Sequence, residues 1–493
     1  MGLLSGNFRA RRRASARALA FAGGLAVIAC GDADGGAPTL TDSDATTSTA
    51  EATSAGPVTG DTSGSTSAAA GSESQTGSSG TGTSDALETT GEPGCDALEV
   101  VDRGFLATGT TTGLTHHELC TRHDQWWIAV PEGATVELAL TGHAPVDELY
   151  FTAVVAYPDL PAPVDPGDAL LSPFVSANGE TVTRSFEAPR SGEFLVQIDA
   201  SSELVAGDYE LSVTCAQRCE LETTRYPVTL VHGWTGFATI GPLDYFYQVP
   251  EHLTDIGYPV HVTQTDKYNS STIRSMQLAE QVDELLVLWR ARKLNIIGHS
   301  QGGVDSRALI STLGYGDRVD ALITVATPHR GTYIMDLALG YVPGAGQEAI
   351  AFLLNLVGAI SQDEQADAMA SFYSLSEQYM QEEFNPQNPD DPRVEYISYT
   401  GRTCSADQFL NPQNDCQDLV DPLIGWGHGI LRAAQGDNDG LVTVESAKWG
   451  DYRGEMIADH IDEVGHLLGV TDPDFDHKQF YLDRARELAD ALH

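Results

Sequence analysis

Basic residues are scarce in this 493-residue chain: 27 Lys and Arg stand against 70 Asp and Glu, a formal charge of −43. Phosphate binding needs clustered Lys and Arg, so nucleic acid is excluded as a partner. The surplus of acid implies a soluble, self-repelling surface with carboxylates available to a cation. Long apolar runs are also lacking. No stretch of 18 or more apolar residues follows the N-terminal region, so no ordinary helical membrane span is expected. The seven cysteines include no recurring C-x-x-C pair with His at ligand spacing, which argues against zinc. The length exceeds what one hydrophobic core serves, and two or three segments are expected.

Residues 1–30 have the make-up of an export signal. Arg9, Arg11, Arg12, Arg13 and Arg17 form a charged start, and Ala18 to Ala29 an apolar stretch too short to span a bilayer. Its end, Val27-Ile28-Ala29-Cys30, resembles the lipobox of bacterial lipoproteins, with Val27 in place of the more usual Leu. That resemblance implies acylation of Cys30 and firm anchoring, since each buried methylene contributes about 0.8 kcal/mol. A plain cleaved signal with a coincidental Cys is the alternative. Residues 31–94 are Thr, Ser, Gly and Ala with scattered acid; they hold almost nothing to bury and read as a disordered tether. The expectation is an exported protein, lipid-anchored at the bacterial cell envelope (outer membrane or cell surface) or released from it.

Residues 95–219 read as all-β. Gln125 to Val130, Thr135 to Leu140, Gly192 to Ile198 and Gly207 to Val213 alternate or run apolar at strand length, between Gly and Pro turns. The spacing suggests a small β-sandwich. The Gly192-Glu193-Phe194 and Gly207-Asp208-Tyr209-Glu210-Leu211 runs resemble the pre-peptidase C-terminal modules appended to secreted bacterial hydrolases. No catalytic cluster is visible there, so the module reads as a spacer or a binding surface. Cys30 apart, six cysteines remain in an exported chain, which implies disulfides. Pairing is expected within the group Cys95, Cys120, Cys215 and Cys219, and between Cys404 and Cys416. Cys95 with Cys219 and Cys120 with Cys215 is one of three arrangements open to the first group.

Residues 220–493 alternate strand and helix, the pattern of a mostly parallel sheet with helices on both faces. The α/β region is organised around Leu294-Asn295-Ile296-Ile297-Gly298-His299-Ser300-Gln301-Gly302-Gly303. An apolar strand ends at Gly298, one Ser follows, and a helix begins. This is G-x-S-x-G in strand–turn–helix context. Such a turn strains the Ser backbone and is tolerated only where its neighbours lack side chains. The serine oxygen then stands at the carboxyl end of the sheet, where ligands bind in open α/β sheets.

Five stretches in order now match one family. They are Val231-His232-Gly233-Trp234, the elbow, Ala326-Thr327-Pro328-His329-Arg330-Gly331, Asn438-Asp439-Gly440-Leu441-Val442 and Asp459-His460-Ile461-Asp462-Glu463-Val464. Over most of 226–480 the chain resembles the secreted triacylglycerol lipases of Pseudomonas and Burkholderia, which are α/β-hydrolases. The resemblance implies Ser300 as nucleophile, Asp439 as acid and His460 as base, with the backbone N–H groups of Trp234 and Gln301 as the oxyanion hole. The order Ser, Asp, His is that of the α/β-hydrolases. A Ser hydroxyl is a poor nucleophile until an imidazole takes its proton, and the imidazole needs a carboxylate to fix its tautomer. Asp439 as a plain Asp-Gly turn residue and His466 as a rival base are the alternatives. An EF-hand register over this region fails, because Gln435 and Ser446 would stand where carboxylates are needed. The family carries a smaller apolar residue at the position of Trp234, a change that narrows the acyl site.

The same resemblance implies one structural Ca2+, held by the carboxylates of Asp421 and Asp462 and the backbone carbonyls of His466 and Val470. It also implies a lid over about 332–385, where Ala349 to Ile360 is apolar enough to exchange burial over a cleft for lipid; an ordinary core helix is the rival. Lipase-specific foldase chaperones serve some relatives. The expected activity is hydrolysis of acylglycerol esters through an acyl-enzyme. An esterase for short or polymeric esters is the near alternative, and a noncatalytic surface-binding protein on a hydrolase fold the distant one.

Overall fold

The computed structural model describes Cys95 and residues 98–490, apart from 144–148, 161–163, 204–205, 237–238, 241–242, 345, 358–361, 411–417 and 473. The export signal, Cys30 and the tether lie outside the described residues.

Among the described residues, ten strands build the N-terminal part: β1 (Glu99–Phe105), β2 (Thr110–Thr111), β3 (Thr115–His117), β4 (Thr121–Val130), β5 (Thr135–His143), β6 (Phe151–Ala156), β7 (Leu171–Ser176), β8 (Thr181–Glu187), β9 (Gly192–Ala200) and β10 (Gly207–Gln217). They form two sheets, ordered β1-β4-β9-β6-β7 and β2-β10-β5-β8, with β3 also on β10. Alternation sets the packing. Val136, Leu138 and Leu140 of β5 point one way and are buried, and they meet Phe194, Val196 and Ile198 of β9 and Tyr209, Leu211 and Val213 of β10. Each such side chain contributes roughly 1.5–3 kcal/mol when fully buried. The sandwich core is therefore ordinary apolar packing between facing sheets.

The cysteine pairing differs from the arrangement offered above. Cys95 bonds Cys120, and Cys215 bonds Cys219. The reason is strand register. β1 pairs in parallel with β4 starting at Glu99 opposite Thr121, which carries Cys95 to Cys120, with Cα atoms 5.5 Å apart. Cys215 and Cys219 flank the turn that leaves β10, with Cα atoms 5.7 Å apart. Cys404 is also disulfide-bonded; its expected partner Cys416 lies outside the described residues.

The second part holds β11 (Val228–Val231), a short hairpin of β12 (Thr239–Ile240) and β13 (Leu243–Asp244), β14 (Val260–Val262), β15 (Leu294–His299), β16 (Val319–Val325), β17 (Glu395–Arg402) and β18 (Asp451–Ile457). Six of these form one sheet, ordered β14-β11-β15-β16-β17-β18, and every pairing in it is parallel. Helices α1 (Val249–Ile256), α2 (Ser271–Leu288) and α3 (Gln301–Ile310) follow β13, β14 and β15. The Ser270 hydroxyl starts α2 by accepting from the Ile273 N–H, which satisfies one of its free donors. Between β16 and β17 lie α4 (Tyr333–Leu339), α5 (Gly346–Val357) and α6 (Gln362–Ser374). The expected α/β-hydrolase architecture, preceded by a β-rich region, is the one observed.

Residues Glu88–His493 form one compact unit, and the sandwich meets the parallel sheet through a charged knot. Glu193 of β9 is buried; its carboxylate accepts from Arg292 Nε and Nη2, both at 2.9 Å, and from Arg225. The Arg292 guanidinium lies 3.6 Å from the Trp127 ring centroid, and that of Arg290 lies 3.9 Å from Tyr157. The Ser191 hydroxyl donates to the Gly257 carbonyl at 2.8 Å. Arg225, Gly257 and Arg292 each stand just before a strand of the parallel sheet. The module thus grips the amino ends of the strands, the edge opposite Ser300.

Candidate active site

β15 is buried throughout and delivers Ser300 into a turn with φ 55 and ψ −128. No side chain adopts that region without cost. The turn exists because its neighbours are glycines. A Cβ on Gly298 would lie 2.8 Å from Gly303 Cα, and one on Gly302 would lie 2.3 Å from the Val231 carbonyl oxygen. Gln301 is the first residue of α3, so its N–H has no intrahelical acceptor. Gly233 matters for the same reason: a Cβ there would meet Ser300 Cβ at 2.6 Å. Its absence lets the chain at Trp234 pass beside the serine.

His460 and Asp439 are joined. His460 Nδ1 and Asp439 Oδ2 are 2.8 Å apart, and the His460 N–H donates to the Asp439 carbonyl at 2.9 Å. The other carboxylate oxygen of Asp439 accepts from Leu441 N and Val442 N at 2.8 and 2.7 Å. Asp439 is therefore both turn residue and histidine partner, and the two readings offered as alternatives describe one residue. Ser300 and His460 line the same cavity without a hydrogen bond between them, a spacing common before substrate engages.

Two buried groups to which the sequence reading gave no role hold this arrangement. Arg274 of α2 bonds Asp305 of α3 through Nε at 2.6 Å, and its Nη2 donates to the His232 carbonyl at 2.8 Å and the Gly233 carbonyl at 3.3 Å. Both side chains are fully buried. One guanidinium thus ties α3 to the loop that carries Trp234. Burial pushes the Asp305 carboxyl up to about 6. Glu463 is the other. Its Oε2 lies 2.8 Å from His299 Nε2 and 3.6 Å from His460 Nδ1, and His299 Nδ1 lies 2.8 Å from the Tyr245 hydroxyl. Burial, and then the charge of Asp439, push the Glu463 carboxyl well up, while burial pushes the His299 imidazole well down. Glu463 lies three residues after His460; only the match to a histidine neighbour in space reveals it. His232 and His329 serve structurally: His232 Nε2 accepts from Thr265 N at 3.1 Å, and His329 stacks on Trp449.

The cavity has a volume of about 110 Å³ and is walled by Ile334 and Met335 of α4, Leu353 and Leu356 of α5, and Ile424 and Leu441. Trp234 also lines it, packed edge-on against Tyr268 and Phe372 with centroids 6.1 and 5.6 Å away. The wall is mostly apolar, with Thr235, Tyr245, Thr332 and His466 as its other polar side chains beside Ser300 and His460. Among the described residues every lining residue falls between Trp234 and His466, and none belongs to the sandwich.

A second, acidic cavity lies behind the histidine loop. Asp421, Asp462 and Val470, three of the four expected Ca2+ ligands, line it together with Asp418, Asp459 and Asp472. Among the described residues, no Lys, Arg or His lines it. Burial, and then the charge of Asp459, push the Asp462 carboxyl up to about 8, and burial pushes Asp418 up to about 7. Crowded carboxylates of this kind need protons or a cation, and the all-oxygen donor set fits calcium. His466, the fourth expected ligand through its carbonyl, lines the cavity that holds Ser300. Asp459 adds a direct tie: its carboxylate accepts from Asp421 N at 2.7 Å and from Ile461 N and Asp462 N at 2.9 and 3.0 Å.

Known proteins resemble this chain over the same region. The palmitoyl protein thioesterase family model matches residues 227–400. A triacylglycerol lipase of Pseudomonas fragi is 27% identical over 296 residues, covering 54% of this chain and 97% of that protein. The solved mature lipase BlEst2 of Bacillus licheniformis covers 54% of this chain and 92% of its own at 19% identity, with a TM-score of 0.41. A triacylglycerol lipase of Vibrio cholerae is 31% identical over 277 residues, covering 51% of this chain and 84% of that protein. With so much of the Vibrio enzyme shared across an all-parallel sheet, this chain belongs to the triacylglycerol lipase family of α/β-hydrolases and is a lipase or related ester hydrolase.

Proposed function

We propose that the protein is an exported lipase that cleaves acylglycerol esters through an acyl-enzyme on Ser300. The observation that carries this reading is the 2.8 Å contact between His460 and Asp439 on the wall of an apolar cavity that also holds the strained Ser300. In acylation, Ser300 Oγ attacks the ester carbonyl and its proton passes to His460 Nε2. Asp439 fixes the ring with Nδ1 protonated and stabilises the imidazolium. The carbonyl oxygen becomes an oxyanion facing the N–H groups of Trp234 and Gln301, each worth about 3 kcal/mol in the transition state. The intermediate collapses, and the departing alcohol takes the proton from His460. Water then repeats the sequence on the acyl-serine and releases the fatty acid.

A fluorophosphonate probe reports this directly. The probe should phosphonylate Ser300, found by mapping the labelled peptide, and abolish hydrolysis in proportion; labelling elsewhere, or full activity after complete labelling, overturns the assignment. Triolein should be hydrolysed as well as tributyrin. Confinement of activity to tributyrin below its solubility limit favours the short-ester reading instead.

Three further parts belong to the same reading. α5, whose Leu353 and Leu356 wall the cavity while Leu354 is exposed, acts as a lid. Cys30 carries the lipid anchor. Asp421 and Asp462, with the carbonyls of His466 and Val470, hold one Ca2+, whose charge neutralises the acidic cavity and pins the loop bearing His460. Chelation by EDTA should therefore lower the melting temperature, and added Ca2+ should restore it; an unchanged melting temperature removes the ion from the account.

A further inference from the structure

Beside His460 lies a set of side chains whose chemistry goes beyond holding the histidine loop. A ring nitrogen of His299, a ring nitrogen of His460 and a carboxylate oxygen of Glu463 lie within 4.8 Å of one another, and all three residues are buried. Glu463 Oε2 is the hub, 2.8 Å from His299 Nε2 and 3.6 Å from His460 Nδ1. Donors bound to one zinc ion stand roughly 3.4 Å apart in a tetrahedral shell, and these separations fall on either side of that. The second oxygen of Glu463, Oε1, is buried and has no hydrogen-bond partner among the described residues. It lies against Gly401, where a Cβ would collide with it. Hydrogen bonds thus account for one half of this carboxylate and leave the other half unexplained.

Donor chemistry decides which ion such a set suits. Two imidazoles and one carboxylate match the three protein ligands of zinc sites that keep an open position. Imidazole suits Zn, Cu and Ni ions, whereas Ca2+ takes oxygen. The acidic cavity offers oxygen, and Asp462 lines it; Glu463, one residue on, belongs to the mixed nitrogen and oxygen set. Two neighbouring residues therefore belong to donor sets of different class.

We propose that His299, His460 and Glu463 form an inhibitory site for a divalent transition ion of the Zn2+ class. The proposal rests on the reading of His460 as the general base. Catalysis needs His460 with its proton on Nδ1, toward Asp439, and a lone pair on Nε2 for the Ser300 proton. An ion bound at Nδ1 displaces the proton there to Nε2, and any proton on the Glu463 carboxyl passes to solvent. Nε2 then has no lone pair to offer, so Ser300 keeps its proton and acylation stops. The acyl cavity itself stays open, because among the described residues neither His299 nor Glu463 lines it.

The test separates binding from turnover. The full chain carrying Ser300→Ala, kept in Ca2+ so that the acidic cavity is supplied, is titrated with Co2+. One equivalent should give the visible absorption of a nitrogen-ligated ion of low coordination number, and Zn2+ should bleach it. Glu463→Gln should weaken binding at least about tenfold, the scale lost even with an outer-sphere partner. His116→Ala, which removes an exposed imidazole paired with Asp208, should leave binding unchanged. With Ser300 intact, Zn2+ should lower kcat on p-nitrophenyl butyrate and leave KM unchanged, and Mg2+ should do neither. Absence of the absorption, equal binding by Glu463→Gln, or full activity at saturating Zn2+ overturns the proposal. Should Glu463→Gln fail to fold, X-ray absorption of the wild-type chain with one equivalent of Zn2+ decides: two imidazole nitrogens are expected, and an all-oxygen shell overturns the site. A chain inactive on every ester would count against the catalytic reading alone, since binding is measured without turnover.

Discussion

Replacing Ser300 with glycine should stabilise the protein while removing its activity. The two effects have different origins in one residue. At φ 55 and ψ −128 the serine backbone sits where only glycine is at ease, and such a conformation costs on the order of 1–3 kcal/mol. Glycine recovers that cost but loses roughly 0.5–1 kcal/mol through its greater freedom in the unfolded chain. A net gain of about 1 kcal/mol in denaturant unfolding is expected. Loss of the nucleophile should lower kcat on the order of 10⁶-fold, the scale seen when a serine hydrolase loses its serine. Ser300→Ala supplies the contrast: equal loss of activity with no gain in stability, because alanine keeps the Cβ that clashes. A Ser300→Gly protein no more stable than Ser300→Ala would show that the turn is not strained.

Arg274→Met is the second large effect, and it acts on both stability and rate. The guanidinium is fully buried and joins Asp305 at 2.6 Å. Removing one partner of such a pair leaves an uncompensated charge, which costs about 3–5 kcal/mol. Arg274 also holds the His232 and Gly233 carbonyls, and so fixes the peptide that presents the Trp234 N–H. A small displacement of a catalytic donor can cost about 10²-fold in rate. The double variant Arg274→Met with Asp305→Leu separates the two. It should recover most of the stability, since no charge remains buried, and it should keep the low kcat, since the carbonyls remain unheld. Recovery of both would reduce Arg274 to a structural partner of Asp305.

Much of this site was legible because its chemistry is local. The elbow needs glycine at fixed offsets from Ser300, and Asp439 needs Gly440, at φ 103, to turn the chain back. Those requirements leave a mark within a few residues. Arg274 leaves none, and Glu463, though it stands in the stretch from Asp459 to Val464, shows nothing there of its contact with His299. Each acts across a long loop, Arg274 over 31 residues to Asp305 and Glu463 over 164 to His299, and an isolated Arg or Glu reads as surface charge until the fold closes around it. The strands follow the same logic. β5 and β10 alternate cleanly because one face meets the core. β18 escaped the strand reading because it is an edge strand, Asp-Tyr-Arg-Gly-Glu-Met-Ile, with mostly exposed side chains. β6 escaped as well: it is buried on both faces, so its Phe-Thr-Ala-Val-Val-Ala run carries no period of two. The cysteine pairing turned on the parallel register of β1 and β4, which no local pattern encodes.

The knot around Glu193 has a bearing on how the enzyme meets bulk substrate. An oil droplet or a bilayer is far larger than any folded domain, so whatever stands beside the catalytic opening limits approach to it. β15 is six residues long, roughly 20 Å of strand between Arg292 at one end and Ser300 at the other. The appended module is clamped below that length, in the shadow of the sheet. A flat surface can press against the opposite pole without touching the module, so substitutions on the module's outward face should leave turnover unchanged.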